Sequence, residues 1–226
     1  FNRVINGCWQ LSAEHCLQGH LDYDDAIRAF HELVEQGFTT FDCADIYTGA
    51  EEVLGRFVTE LKASGHYQEE DIQSHTKFVP DKDVLPVIKM EYTEGIVDRS
   101  LKRMHREALD LVQFHWWDFN VPGMMETAFD LVKLQEKGKI RNIGMCNMDT
   151  NALKQMVDAG IPVVSNQAQY SVFDRRPERT LLDYSAEHGI YTFAYGTLAG
   201  GFLAERYMGK TYEAPETRSQ VKYMQI

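Results

Sequence analysis

Residues 39–63, TTFDCADIYTGAEEVLGRFVTELKA, contain the unit from which we predict the fold. The run Thr39 to Asp42 is rich in β-branched and aromatic residues and is typical of a short strand that ends on a charged side chain. Residues Glu51 to Ala63 carry the periodicity of a helix with one buried face. A strand followed by a helix of this length is half of a β-α-β unit, in which the strands run parallel.

The same alternation of short strand and longer helix runs along most of the chain. We predict seven strands, at Val4–Cys8, Thr39–Asp42, Ile72–Lys77, Leu109–His115, Ile140–Gly144, Val163–Gln167 and Tyr191–Tyr195. Helical patterns lie between them, at Tyr23–Gln36, Glu51–Ala63, Val84–Met104, Gly123–Lys137, Asn151–Ala159 and Glu178–His188. No linker interrupts the series, so we predict one domain over residues 1–226.

Polar residues at the strand ends decide between a barrel and an open doubly wound sheet. In a (β/α) barrel the chemistry gathers at the C-terminal ends of many strands, whereas an open sheet concentrates it at one switch point, often behind a GxGxxG loop. No GxGxxG follows an early strand here, and six strand ends carry a polar residue: Asp42, Lys77, His115, Asn147, Gln167 and Tyr195. The prediction is an α/β fold, a (β/α)8 TIM barrel.

An eighth strand and helix are not found after Tyr195. The tail from Gly209 to Ile226 is polar, and no further strand-helix unit is predicted in it. We therefore expect this chain to lack part of the C-terminal end of the barrel, which would leave two unpaired strand edges.

Composition narrows the classes of partner. A formal net charge of −11 argues against nucleic acid, whose binders usually carry a basic face. No apolar run approaches the roughly 18 residues of a membrane span, and no leader-like segment opens the chain, so we expect a cytoplasmic protein without a membrane partner. Cys8, His15, Cys16 and His20 match no zinc spacing, so no metal is expected and the cysteines are expected to be reduced thiols.

Six segments, in order, resemble the aldo-keto reductase family. They are FDCADIYTGAEEVLGR (Phe41 to Arg56), SHTKF (Ser74 to Phe78), LDLVQFHWW (Leu109 to Trp117), IRNIGMCN (Ile140 to Asn147), VVSNQAQY (Val163 to Tyr170) and FAYGTLAGGFL (Phe193 to Leu203). The resemblance extends from about Val4 to Leu203. It implies reduction of an aldehyde or ketone by a nicotinamide cofactor, and it implies NADPH; NADH stays open because the segment that binds the 2′-phosphate in the family has no counterpart here.

The resemblance places the four catalytic residues of the family at Asp42, Tyr47, Lys77 and His115. Reducing a carbonyl requires a hydride at carbon and a proton at oxygen, and Tyr47 would be the acid. An ammonium close to a phenol favours its phenolate form, which is the role implied for Lys77, with Asp42 holding Lys77 in place. His115 would orient and polarise the carbonyl.

The resemblance also places cofactor contacts at the rim. Asn147 and Gln167 would bind the nicotinamide carboxamide and Tyr195 would stack on its ring, while Cys146 stands where the family usually has Ser and is a weaker hydrogen-bonding partner. Gly7 would let the backbone approach the cofactor, and Gly196 to Leu198 would follow the pyrophosphate. Trp9 and Trp116 are predicted to wall the substrate pocket, and Trp117, on the other face if the strand continues, to be structural.

Other interpretations stay open. Taken one at a time, Asp42 and Lys77 fit an ordinary ion pair, Tyr47 a packing tyrosine and His115 a core histidine; their joint occurrence at successive strand ends favours catalysis. A non-catalytic cofactor-binding subunit, acting as a redox sensor or scaffold, is the main alternative function. A barrel hydrolase with two acids ranks third, because Asp42 is the one acid that ends a predicted strand. The oligomeric state is left undecided.

Overall fold

A parallel sheet of seven strands forms the centre of the molecule. The computed structural model describes residues 2–15, 21–210 and 214–225. Strands β1 to β7 neighbour one another in chain order and every pair is parallel. Their bounds are Asn6–Gly7, Thr40–Asp42, Gln73–Phe78, Leu111–His115, Ile143–Cys146, Val163–Gln169 and Tyr191–Tyr195.

Among the described residues, six α-helices connect the strands and a seventh lies in the tail. Helices α1 to α7 span Tyr23–Glu35, Ala50–Ala63, Met90–Arg103, Met124–Glu136, Thr150–Asp158, Leu181–Glu187 and Arg218–Tyr223. Side-chain caps set the starts of α1 and α5, because Asp22 accepts from the backbone of Asp24 and Asp25, and Asp149 accepts from Ala152 N. The helices cover the outside of the sheet with an apolar layer that includes Phe30, Phe57 and Leu131.

The sheet curls into a barrel wall. His75 of β3 and Phe193 of β7 stack with their ring centroids 5.9 Å apart, although three strands separate β3 from β7. Such a contact requires the two strands to face each other across an enclosed interior. The sequence-based prediction of a (β/α) barrel is confirmed. Seven strands are found in the described residues, with β1 paired to β2 and β7 paired to β6 at the two edges.

Local backbone chemistry shortens several predicted elements. The helix predicted over Val84–Met104 is a 3-10 turn at Leu85–Val87 followed by α3, since Ile88 and Lys89 are extended and Pro86 lies in the turn. The helix predicted over Glu178–His188 likewise breaks at Thr180, whose φ is −153°. Strand β5 begins at Ile143 instead of Ile140, which makes only an isolated bridge to Leu109.

The polar tail after Gly209 contains one short helix, α7, in its described residues. Thr217 caps the helix by accepting a hydrogen bond from Gln220 N. Threonine before a helix is a known start signal, and sequence analysis did not use it because the tail is polar throughout. No helix in the described part of the chain is long and apolar enough to span a membrane.

Candidate active site

A buried ion pair lies at the C-terminal end of β2 and β3. The ammonium Nζ of Lys77 is 2.6 Å from Asp42 Oδ2 and donates a second hydrogen bond to the Cys43 carbonyl, at 2.7 Å. Only 4% of the Lys77 side chain is exposed. Burial acts to lower the pKa of Lys77, but the attraction of Asp42 and Tyr47 outweighs it and raises that pKa, so the ammonium stays charged.

Gln113 completes the environment of Asp42. Its amide Nε2 donates to Asp42 Oδ1 at 2.5 Å, so both carboxylate oxygens are bonded. Sequence analysis did not identify Gln113. Gln113 and His115 are two residues apart on β4 and therefore lie on the same face of the sheet, which is the signal that would have found it.

Tyr47 lies beside this pair, in the loop between β2 and α2. The Lys77 ammonium is 5.2 Å from the centroid of its ring. Burial raises the pKa of the Tyr47 phenol, and the charge of Lys77 acts in the opposite direction. The phenol is thus protonated at neutral pH and has a cation next to it, which is the arrangement of an acid whose conjugate base is stabilised.

His115 ends β4 at the same rim. Its Nδ1 is 3.2 Å from the carbonyl oxygen of Cys146, and burial lowers the pKa of the imidazole. A neutral ring whose Nδ1 donates to that carbonyl leaves Nε2 as an acceptor. Burial raises the pKa of the Cys146 thiol to about 11, so it is present as a thiol.

The two tryptophans after β4 are arranged opposite to the prediction. Trp116 is only 2% exposed, packs against Phe114 and donates from Nε1 to the Val121 carbonyl, so it belongs to the core and does not wall a pocket. Trp117 is 43% exposed and meets His115 edge to face, with centroids 4.6 Å apart. The strand ends at His115, so the alternation assumed through Trp117 does not apply.

Asn147, Gln167 and Tyr195 form a polar cluster at the ends of β5, β6 and β7. The backbone N–H of Asn147 donates to the backbone carbonyl of Gln167 at 2.8 Å, and the Tyr195 hydroxyl donates to the side-chain Oδ1 of Asn147 at 2.8 Å. Asn147 has a φ of 59°, a left-handed conformation that asparagine tolerates better than most residues. The Asn147 side-chain amide beside the Tyr195 ring offers a hydrogen-bonding partner and an aromatic face, and these two groups fit a nicotinamide carboxamide and its ring.

The remaining predicted cofactor positions differ in accessibility. A Cβ added to Gly7 would meet no atom within 4 Å, so the space beside it is open, and Leu198 is 66% exposed. Gly196, with φ 73°, is instead covered by the hydroxyl of Tyr223 from α7. Trp9 lies at the rim, where the Lys222 ammonium is 5.6 Å from its ring.

The structure therefore brings Asp42, Tyr47 and Lys77 into one cluster and places His115, Cys146, Asn147, Gln167 and Tyr195 along the same rim. Their catalytic and binding roles stay predictions. Among the described residues no group of three or more His, Cys, Asp and Glu side chains is placed to hold a metal ion. Cys16 and His20 of the disfavoured metal cluster lie outside those residues.

Comparison with known proteins identifies the family. The profile described as Aldo/keto reductase family matches residues 3–224, almost the whole chain. Aldo-keto reductase YhdN of Bacillus subtilis is 28% identical over 224 residues, which cover 96% of this chain and 65% of YhdN. Methylglyoxal reductase DkgA of Escherichia coli O157:H7 is 28% identical over 196 residues, 86% of this chain and 62% of DkgA.

Solved structures give the same result. The glycerol dehydrogenase AKR11B4 of Gluconobacter oxydans has a TM-score of 0.77 and 28% identity, covering 95% of this chain and 65% of its own. An aldo/keto reductase of Klebsiella pneumoniae, solved with NADP and acetate, has a TM-score of 0.72 and 26% identity, covering 91% and 66%. The chain thus spans about two thirds of the length of the proteins it matches.

Proposed function

The chain belongs to the aldo/keto reductase family, and we propose that it is an oxidoreductase that reduces an aldehyde or ketone to the alcohol with NADPH. The observation that carries the proposal is the buried Lys77–Asp42 pair, whose ammonium is 5.2 Å from the Tyr47 ring. A protonated phenol beside a buried cation suits proton donation to an oxygen that is becoming an alkoxide.

Tyr47 donates the proton. Burial keeps its pKa high, so the phenol is protonated when the carbonyl arrives. As the proton moves to the carbonyl oxygen, negative charge passes to the phenol oxygen, and the Lys77 ammonium stabilises that charge in a site with little water. Solvent then returns a proton to Tyr47.

Asp42 and Gln113 keep Lys77 in its working position. Lys77 has hydrogen bonds to Asp42 Oδ2 and to the Cys43 carbonyl, which orient its ammonium. Gln113 holds the other carboxylate oxygen, so Asp42 cannot rotate away without losing a buried hydrogen bond. His115, held by the Cys146 carbonyl, orients the substrate carbonyl from the neighbouring strand end.

Asn147, Gln167 and Tyr195 would hold the nicotinamide, with Gly7, Cys146, Gly196 and Leu198 along the rest of the cofactor. When bound, NADPH supplies the hydride that adds to the carbonyl carbon. Two structures of similar aldo/keto reductases from Klebsiella pneumoniae, each 26% identical to this chain, contain NADP and NADPH respectively, which supports the choice of NADPH over NADH for this chain. Trp9 and Trp117, at the rim, are proposed to contact the substrate.

Tyr47→Phe tests the assignment. The purified chain is titrated with NADPH by fluorescence, and NADPH oxidation is then followed with an aromatic aldehyde. We expect Tyr47→Phe to lower kcat by about 10²- to 10⁴-fold, the usual contribution of a general acid, with NADPH affinity within about twofold. The matched control is Tyr191→Phe, since Tyr191 is exposed at the opposite end of β7. Retained turnover in Tyr47→Phe would reject the assignment.

The same assay separates the alternative function. Tight NADPH binding without oxidation of any aldehyde by the unaltered chain would favour the cofactor-binding sensor or scaffold over the reductase. Binding with turnover that depends on Tyr47 would favour the reductase.

A further inference from the structure

The loop that carries Tyr47, residues 43–49, and the start of α2 that follows it are braced from outside the barrel by one arginine. Arg103, the last residue of α3, donates from Nη1 to the Asp45 carbonyl at 3.2 Å and approaches Glu51 Oε2 at 3.3 Å. Its Nε is 3.0 Å from Glu52 Oε1. Asp45 precedes Tyr47 by two residues and Glu51 follows it by four, so a single guanidinium holds both ends of the loop.

Glu51 connects this brace to the strand that carries Lys77. The Glu51 side chain is fully buried, and its second oxygen, Oε1, accepts a hydrogen bond from Thr76 Oγ1 at 2.7 Å. Thr76 directly precedes Lys77 on β3. A buried carboxylate without a cation would be strongly disfavoured, so Arg103 is what allows Glu51 to join the loop to β3.

Asp45 joins the loop to β3 a second time. Asp45 N donates to the Lys77 carbonyl at 3.3 Å, and Asp45 Oδ1 accepts from Val79 N at 3.1 Å. Arg99 lies 3.6 Å from the other carboxylate oxygen. The loop therefore has fixed points on both sides of Lys77, and Arg103 bonds to its main chain at Asp45.

We propose that Arg103 is a positioning residue that sets the distance between Tyr47 and Lys77. The proposal rests on the proposed function, because it concerns the proton donor of that reaction. Arg103 touches none of the reacting groups. Without it the loop loses its hydrogen bond at the Asp45 carbonyl and Glu51 loses its cation, so Tyr47 moves relative to the Lys77 ammonium and the phenolate left after proton transfer is less stabilised.

The test compares Arg103→Met with the double variant R103M/E51Q. Arg103→Met leaves the buried Glu51 carboxylate unpaired, which by itself lowers stability, whereas the double variant has neither charge. We expect both to lower kcat by about 10- to 100-fold, as a misplacement of about 1 Å does, with the KM for NADPH within about twofold. Arg56→Met is the control, since Arg56 pairs with Asp24 and Glu60 on the exposed side of α2.

A pH profile separates positioning from a general structural effect. Alcohol oxidation requires the Tyr47 phenolate, so losing the influence of Lys77 should move the rise of the oxidation rate to higher pH, by about one unit. Wild-type kcat and an unmoved profile in R103M/E51Q would overturn the role of Arg103 alone. Absence of turnover in the unaltered chain would overturn the proposed function, and the role of Arg103 with it.

A second, independent observation concerns α7, which lies across the proposed nicotinamide position. The helix is attached to the loop after β1, through Ser219 Oγ to His15 Nε2 at 2.8 Å and Arg218 N to the His15 carbonyl at 3.0 Å. It is attached to the segment after β7 through Gln220 Nε2 and the Tyr207 hydroxyl, at 2.9 Å.

Two side chains of α7 cover cofactor positions. The Lys222 ammonium is 4.3 Å from the centroid of the Tyr195 ring, and the Tyr223 hydroxyl is against Gly196. In the part of the chain that the structure describes, Lys222 has aromatic neighbours and no carboxylate partner. The face of Tyr195 thus holds a cation where the nicotinamide ring is proposed to stack.

We infer that α7 is an autoinhibitory latch that must move before the cofactor binds. This inference also rests on the proposed function. The face of the Tyr195 ring attracts the Lys222 ammonium. Removing the ammonium frees that face, so the form with α7 displaced, which can bind the cofactor, becomes more populated and the apparent affinity for NADPH rises.

Lys222→Met tests the latch by NADPH titration and hydrogen exchange. We expect NADPH to bind about 2- to 30-fold more tightly, the range that corresponds to a cation–π contact, and residues 214–225 to exchange faster in the unaltered chain when NADPH is bound. Lys154→Met is the control, because Lys154 pairs with Asp158 on exposed α5. Unchanged or weaker binding by Lys222→Met, or slower exchange of α7 in the complex, would overturn the latch alone. No binding by either chain would overturn the proposed cofactor site and the latch together.

Discussion

Gly55→Ala is the substitution whose effect we expect to differ most from ordinary helix behaviour. Gly55 is a buried residue in the interior of α2, and replacing a helical glycine with alanine usually stabilises a protein by about 1 kcal/mol. Here, however, an added Cβ would lie 2.9 Å from both Cα and C of Met104, and closer still to the Arg103 carbonyl oxygen. These are backbone atoms, so no side-chain rotation relieves the overlap.

The expected magnitude follows from the two opposing effects. Overpacking a well-packed site costs about 1 to 3 kcal/mol, and occasionally more when backbone must shift. Because the overlap here is with the end of α3, we place the cost at the upper part of that range. After the gain of about 1 kcal/mol in helix propensity, Gly55→Ala should lower the free energy of unfolding by about 2 kcal/mol.

Gly95→Ala is a matched control in the neighbouring helix. Gly95 lies within α3, is exposed, and an added Cβ would meet no atom within 4 Å. Alanine there should raise the free energy of unfolding by about 0.5 to 1 kcal/mol. Urea unfolding followed by far-UV circular dichroism measures both variants against the unaltered chain.

Equal stability of the Gly55→Ala and Gly95→Ala variants would refute this reasoning. If Gly55→Ala is as stable as Gly95→Ala, then α2 and α3 do not approach each other at Met104 as closely as the structure shows. Because the same approach places Arg103 over the Tyr47 loop, Gly55→Ala should also lower kcat, whereas Gly95→Ala should leave kcat unchanged.

Two further predictions concern the barrel interior and the rim. Burial lowers the pKa of His75 to about 4, so its neutral form is favoured in the folded state; stability contributed by His75 should be complete above about pH 6.5 and fall as the pH drops toward 4. Equilibrium unfolding measured across this range should show a smaller loss in His75→Gln, and an equal loss would contradict the assignment. Trp116→Ala should destabilise the chain by about 3 to 5 kcal/mol as a core truncation, while Trp117→Ala should mainly raise the KM for an aromatic aldehyde. Thermal unfolding with steady-state kinetics checks this pair, and the reverse pattern would refute the assignment of the two tryptophans.

Sequence reasoning succeeded where the determinants are local. The alternation of strand and helix, the order of the seven strands and the polar residues at their ends follow from patterns within about 30 residues of one another. Asp42 and Lys77 close successive parallel strands, and ends of parallel strands meet at one edge, so their proximity was predictable. The breaks at Pro86 and Thr180 were missed, although the proline was a visible signal.

Errors arose where a pattern was extended past the end of its element. Alternation along β4 was carried through Trp116 and Trp117, but the strand stops at His115 and the side chains after it follow the turn. Gln113 was overlooked for another reason. Its position on the inward face of β4 matters only because its side chain donates a hydrogen bond to Asp42, on another strand.

The sequence by itself determined the parallel β/α architecture, the residues at the rim of the barrel and the family resemblance, because each depends on short-range periodicity or on a contiguous motif. Only the tertiary structure decided that Arg103 holds both ends of the Tyr47 loop and that Lys222 lies on Tyr195. Arg103 is 52 residues along the chain from Glu51, and Lys222 is 27 residues from Tyr195. Contacts of this kind depend on how helices pack against loops of other units. No local spacing encodes them, because the packing distance between two elements is set by side chains distributed over both.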